Sequence, residues 1–263
     1  MNRAITIGAC LALCVFYSTA SAQDSTAERK LGIGGYIKDM QSFFWDKDFR
    51  QLTGGDLLHN RINMKWKPDS LLTGAFEVRN RVFWGDQVAV TPDFAARLRN
   101  ASELVDLQKV WVNRNNFVVH SNIERLWLEW RRRQFDVRAG RQRINWGIAT
   151  LWNPNDIFNT YNFLDFDYEE RPGADAVKAA YRLNSVSGAE MAIAASDEPH
   201  KSVGAIRLFT NRWNYDFQFI SGWYKTGVIA GAGWAGSIKE AGFKGELMYF
   251  GREGDSAALL NLT

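Results

Sequence analysis

From residue 57 onward, apolar and polar side chains change places at nearly every step. In RINMKWK, Ile62, Met64 and Trp66 alternate with Asn63, Lys65 and Lys67. In GAFEVRNRVFW, Phe76, Val78, Val82 and Trp84 oppose Glu77, Arg79 and Arg81, with Asn80 a polar exception. In IERLWLEWR, Leu126, Leu128 and Trp130 oppose Arg125, Glu129 and Arg131, while Trp127 falls on the charged side. FDVRAG sets Phe135, Val137 and Ala139 against Asp136 and Arg138, and AVKAAYR, NYDFQF and FKGELMY repeat the rhythm. A period of two marks strands with one apolar and one polar face, because successive side chains leave a strand on opposite sides. The pattern predicts about twelve strands, at roughly 33–45, 57–67, 71–84, 119–132, 134–145, 175–183, 188–195, 202–210, 214–224, 228–237, 241–250 and 256–263.

The links between these strands alternate in length. Pro68-Asp69, the corner at Arg132, Asn184 to Ser187, Asn211 to Trp213 and Lys239-Glu240 are short. The links between them are generally longer, and 85–118 and 146–174 are the longest. Short turns at one rim and long loops at the other are what a transmembrane barrel shows. Within 85–118, the spacing of Phe94, Leu98, Leu104 and Leu107 predicts a short loop helix capped near Thr91, serving as a cover.

Composition sharpens this picture. Residues 4–17 are almost all apolar behind Arg3, and ASA at 20–22 suits a signal peptidase, so residues 1–22 read as an export signal and 23–263 as one domain. Both cysteines, Cys10 and Cys14, lie in that signal, which removes disulfides and thiolate chemistry from the remainder. Phe, Trp and Tyr make up 14% of the chain, while mean hydropathy is negative. Export, abundant aromatics and no disulfide point to the outer membrane of a Gram-negative bacterium, where apolar residues are spread over alternate positions. The fold class expected is all-β: an antiparallel transmembrane β-barrel of about twelve strands, or part of a larger one, since the chain ends in SAALLNLT without a terminal aromatic residue. A soluble β-sandwich would share the alternation, with the charges turned to water. A net charge of +3 is too balanced to indicate nucleic acid as a partner.

The polar face then decides function. It gathers Arg79, Arg81, Arg125 and Arg138, with Glu77 and Glu129 interleaved. This wall would either select anions or consist of Arg–Glu pairs that brace the interior. Arg141 and Arg143 fall on the Ala139 face if the strand stays regular, which places them above the membrane. A bulge at Gly140 would turn both inward, and this is the favoured reading. The 146–174 loop would either fold inward, with Asp165 and Asp167 facing the arginines as a constriction, or pack outside by its aromatics. His59, His120 and His200 are scattered and read as solvated loop or rim residues. No Gly-x-Ser-x-Gly and no His-Glu-x-x-His occurs, so neither an enzyme nor a metal or other cofactor is expected.

GRQRINWG, WNPNDIFN and EERPGADAVKAAY, over roughly 140–181, resemble a segment of a loosely defined group of porin-like outer-membrane barrels. The matching positions are Arg141, Gln142, Arg143, Trp146, Asn153 and Asp156, and no established role travels with them. The resemblance implies a passive channel for small hydrophilic solutes, with membrane lipid as its surroundings and a homo-oligomer left open. The alternative is a non-conducting barrel with a structural or ligand-binding role.

Overall fold

A computed structural model describes residues 30–45, 52–98, 103–149, 152–158, 172–252 and 255–263. The export-signal reading therefore lies outside the described residues. The chain is all-β, and thirteen strands form one antiparallel sheet. They are β1 (Leu31–Trp45), β2 (Leu52–Trp66), β3 (Leu72–Gly85), β4 (Gln108–Arg114), β5 (Phe117–Arg132), β6 (Phe135–Gln142) and β7 (Ala174–Arg182). There follow β8 (Gly188–Ala194), β9 (Val203–Arg212), β10 (Tyr215–Tyr224), β11 (Gly227–Ile238), β12 (Ala241–Arg252) and β13 (Asp255–Leu262). Each strand pairs with the next, except that β4 joins only β5, so β3 is followed in the sheet by β5. No ladder joins β1 to β13 among the described residues, and the sheet is open along those edges.

The alternation becomes two unlike faces. Leu128, Val177, Phe219 and Val228 on one face are 53–66% exposed. Trp66, Trp130 and Tyr181 lie on this apolar face near strand ends. The other face carries Arg61, Arg79, Arg81, Arg125 and Glu129, all buried. Tight turns suit the chain where left-handed backbone is adopted: Trp213 and Asn214 both have positive φ, as a two-residue hairpin turn requires. The links at 67–71, 133–134, 183–187, 213–214 and 239–240 share one rim. At the opposite rim the links at 225–226 and 253–254 are also short, whereas 86–116 and 143–173 are long.

Three expectations are corrected. The 85–118 connection holds a strand as well as helix: α1 (Asp86–Val90) and α2 (Phe94–Arg97) are short, and β4 follows them. Leu104 and Leu107 lie beyond the helices, so the apolar spacing reports a folded-back segment. The register across β6 continues one-for-one to Gln142 on both sides, so no bulge occurs at Gly140. Glycine is still required there, because φ is +115° and an added Cβ would sit 2.2 Å from the Leu126 carbonyl oxygen. The bulge is in β5 instead: Glu77 pairs with Arg125 and Val78 with Ile123, which leaves Glu124 extra. Finally, His59 and His120 are fully buried on the charged face, and only His200 is exposed.

Candidate functional site

The charged face of β2–β6 is a set of ion pairs. Arg61 pairs with Glu77, Arg79 with Glu124 at 2.8 Å, and Arg138 with Glu129 through its Nε at 2.9 Å. Arg131 also reaches Glu129 at 2.9 Å, and Arg182 reaches Asp136 at 2.8 Å. Arg125 donates to the Glu124 carbonyl at 2.7 Å, and Arg81 approaches His120 Nδ1 at 3.4 Å. Trp127 sits on this face because the Arg138 guanidinium lies 4.0 Å from its ring centroid, a cation–π contact. Charges removed from water must be paired, and these are.

Both long connections return to the same face. Val88 of α1 packs on Phe83 and Val118, and Phe94 meets the Phe83 ring edge-on at 5.1 Å. Residues 144–149 and 152–158 cross β8–β12, where Ala192, Ala194, Ala205, Ile220, Ile229 and Met248 provide a shallow floor. Ile144, Trp146, Ile157 and Phe158 bury their side chains against it. Gly233 keeps the approach close: a Cβ there would sit 3.0–3.1 Å from Ile148, Asn155 and Gln218 side-chain atoms and press on each of them. Glu246, fully buried, accepts the backbone N–H groups of Ile148, Ala149 (2.8 Å) and Asn155 (3.1 Å). Asn155 Nδ2 donates to the Ala232 carbonyl at 3.0 Å, and Gln218 Nε2 to that of Trp146 at 2.7 Å. Asp165 and Asp167 lie outside the described residues.

Arg141 and Arg143, two residues apart, have unrelated roles. Arg141 aligns with Leu126 and Asp175 across the sheet, at a joint in it. Above Ile123, β5 pairs with β4; below it, the same edge pairs with β6. The Arg141 guanidinium fills that joint. It grips Asp175 at 2.8 and 2.9 Å, donates to the carbonyls of Ile123 (3.1 Å) and Val105, and lies 3.2 Å from Glu103. Asp175 in turn accepts the N–H groups of Leu104 (2.8 Å) and Val105 (3.0 Å). Residues 103–107 are thereby strapped across the end of β6. Burial pushes the Glu103 carboxyl up to about 7, against the pull of Arg141 and the Asn122 amide.

Arg143 lies past the end of β6, in a recess of about 390 Å³ with Asn145, Trp146, Lys178, Glu190 and Arg207. Sequence reasoning places Glu246 on the polar face but misses Glu103, Glu124, Asp175, Glu190 and Arg207 as site residues. Glu124 had a readable signal, since Glu124-Arg125 places two charges on consecutive strand positions. No group of residues suited to hold a metal ion occurs among the described residues. Comparison with known protein families and with curated proteins finds no match.

Proposed function

We propose that this chain is an exported outer-membrane β-barrel of the porin-like kind, which lets small hydrophilic solutes, anions preferentially, diffuse past its charged face. The observation that carries the reading is the inverted sheet: leucine, valine, isoleucine and phenylalanine are exposed on one face, while arginine and glutamate are buried on the other. A soluble sandwich has the opposite arrangement, because exposed apolar area costs about 25 cal/mol per Å². Lipid around the apolar face removes that cost. Trp66 and Asp56 on β2 are about ten residues apart, ~33 Å along a strand and ~25 Å across a bilayer at ~40° tilt. The strands on the main path of the sheet alternate in direction, and β1 and β13 run opposite ways, as antiparallel closure of an even-numbered barrel needs.

The alternative, a non-conducting barrel with a structural or binding role, draws support from the two connections folded onto the charged face. Planar-bilayer recording separates the two. Discrete conductance steps from folded protein, with a reversal potential favouring chloride in a KCl gradient, are expected. Silent bilayers from folded protein leave the non-conducting reading.

A further inference from the structure

The ion pairs described above neutralise most of the arginines of β2–β6, so those residues offer a solute little free charge. The exception lies where residues 143–146 leave the sheet. There Arg143, Lys178 and Arg207 share the 390 Å³ recess with one carboxylate, Glu190. Glu190 is already engaged: its Oε2 accepts from Arg207 at 2.8 Å and from Trp146 Nε1 at 2.9 Å. Lys178 is 4.0 Å from it, at the limit of an ion pair. Arg143 makes no ion pair or hydrogen bond among the described residues. Arg207 keeps an Nε–H without an acceptor. Asn145 accepts the Gly147 N–H at 3.3 Å through Oδ1, which leaves its amide donors unused. Three cations against one occupied carboxylate leave the recess about two charges positive, and its unused groups are donors.

We infer that this recess is a binding site for a small oxyanion, one carrying a carboxylate or a phosphate. Two guanidinium forks and an ammonium match the oxygens of such a group, and charge-assisted bonds to it are the strong ones. The recess falls within the size range of small-ligand sites, ~300–1,000 Å³. The inference deepens the channel reading and rests on it for solute access: the site is where an anion pauses on its way past the charged face. Its position accounts for the inward path of residues 144–146, which carry Asn145 and Trp146 to β7–β9 and complete the site from the covering side.

The test uses the folded full chain in detergent, titrated calorimetrically with inorganic phosphate and separately with succinate. Saturable binding of at least one of them, one per chain, is expected. Binding of phosphate alone or of succinate alone assigns the class of oxyanion. Arg143→Gln should weaken binding about tenfold or more, as loss of one charge-assisted bond does. Arg143→Gln with Lys178→Gln should abolish it, and Lys239→Gln, in a turn at the opposite rim, should leave it unchanged. Arg143 has no hydrogen-bond or ion-pair partner among the described residues to lose, so its variant tests binding and not folding. Unchanged affinity in the double variant, or no saturable binding of either anion, overturns the site. Bilayer recordings run alongside keep the two claims apart. Binding that is lost in the double variant, with no conductance, retains the site and removes the channel. Conductance without binding retains the channel and removes the site.

Discussion

On β2–β6 the buried face carries long charged side chains that pair with one another, whereas toward the long-loop rim of β7–β12 it carries Ala, Gly, Ile and Met and is covered by the chain itself. Both halves follow the same alternation. They differ in how the interior is filled. Arginine and glutamate reach across and satisfy each other, so that half needs little over it. Alanine and glycine leave a shallow floor, which becomes buried only when Trp146, Ile157 and Phe158 are laid on it. A charged wall is thus self-contained, and a small-residue wall depends on the segment seated on it.

The hardest blow to this arrangement falls at the seam between the halves. Arg141→Ala removes donors from Asp175, Ile123 and Val105 and strands the buried carboxylate of Glu103 and the half-buried one of Asp175. Breaking such a buried network costs about 3–5 kcal/mol. A lower urea midpoint in micelles and protease cleavage within 103–107 are the expected signs. Arg141→Lys should not restore stability, because a point charge cannot make the two-pronged contact with Asp175.

Next comes the cover itself. Glu246→Ala leaves the N–H groups of Ile148, Ala149 and Asn155 without their acceptor. The loss should be about 3 kcal/mol, limited by the freedom of the released segment to find water. Limited proteolysis should then cut within 144–158 while the ion pairs of β2–β6 hold their half of the sheet. If the whole sheet unfolds together, the two halves are not independent in the way described.

The two halves also differed in how legible they were. A period of two located all the strands but β4, because exposed and buried positions alternate in both halves. The charged half could be read further, since Glu77, Arg79, Arg81, Arg125 and Glu129 put both signs of charge on one face, although the alternation does not say which pairs form. The small-residue half could not, because Ala192, Ala194 and Gly233 show where something must cover the sheet but not what. QKVWVNR was missed as β4 because it is short, breaks register at Trp111 and follows helix-like spacing. A glycine in a strand suggests a bulge, yet at Gly140 a single residue of positive φ alters the backbone without shifting register. The Arg141 joint joins segments far apart in sequence, and no local pattern encodes that.

The strap over the seam should respond to pH. Glu103 takes up its proton at about 7 in the folded chain, against 4.5 for an ordinary glutamate. Between those values the folded state holds a proton that the unfolded state has released, so stability falls as pH rises and levels off above 7. The shift bounds the effect at about 3 kcal/mol. Urea midpoints should be higher at pH 5 than at pH 8, and Glu103→Gln should flatten that difference. An unchanged difference would assign the pH response to other carboxylates.

The smallest effect belongs to the apolar face, where β2, β3 and β5 carry a polar row that β7–β12 lack. Trp111 Nε1 donates to Ser121 Oγ at 2.9 Å, Ser121 Oγ to Asn80 Oδ1 at 2.6 Å, and Asn80 Nδ2 to Asn60 Oδ1 at 3.1 Å. Asn60 Nδ2 then donates to the Tyr36 carbonyl at 3.2 Å, so every bond in the row points toward β1. On the proposed membrane reading, a row that satisfies itself faces lipid cheaply. Asn80→Leu cuts it in the middle but adds apolar surface to a face already rich in it. Hydrogen bonds of this kind in a membrane average ~0.6 kcal/mol, so the net change should stay within about 1 kcal/mol. A urea midpoint close to that of the parent chain is the expected result. A loss as large as that of Arg141→Ala would mean that the row holds β2, β3 and β5 together, and that the charged half is not held by its ion pairs alone.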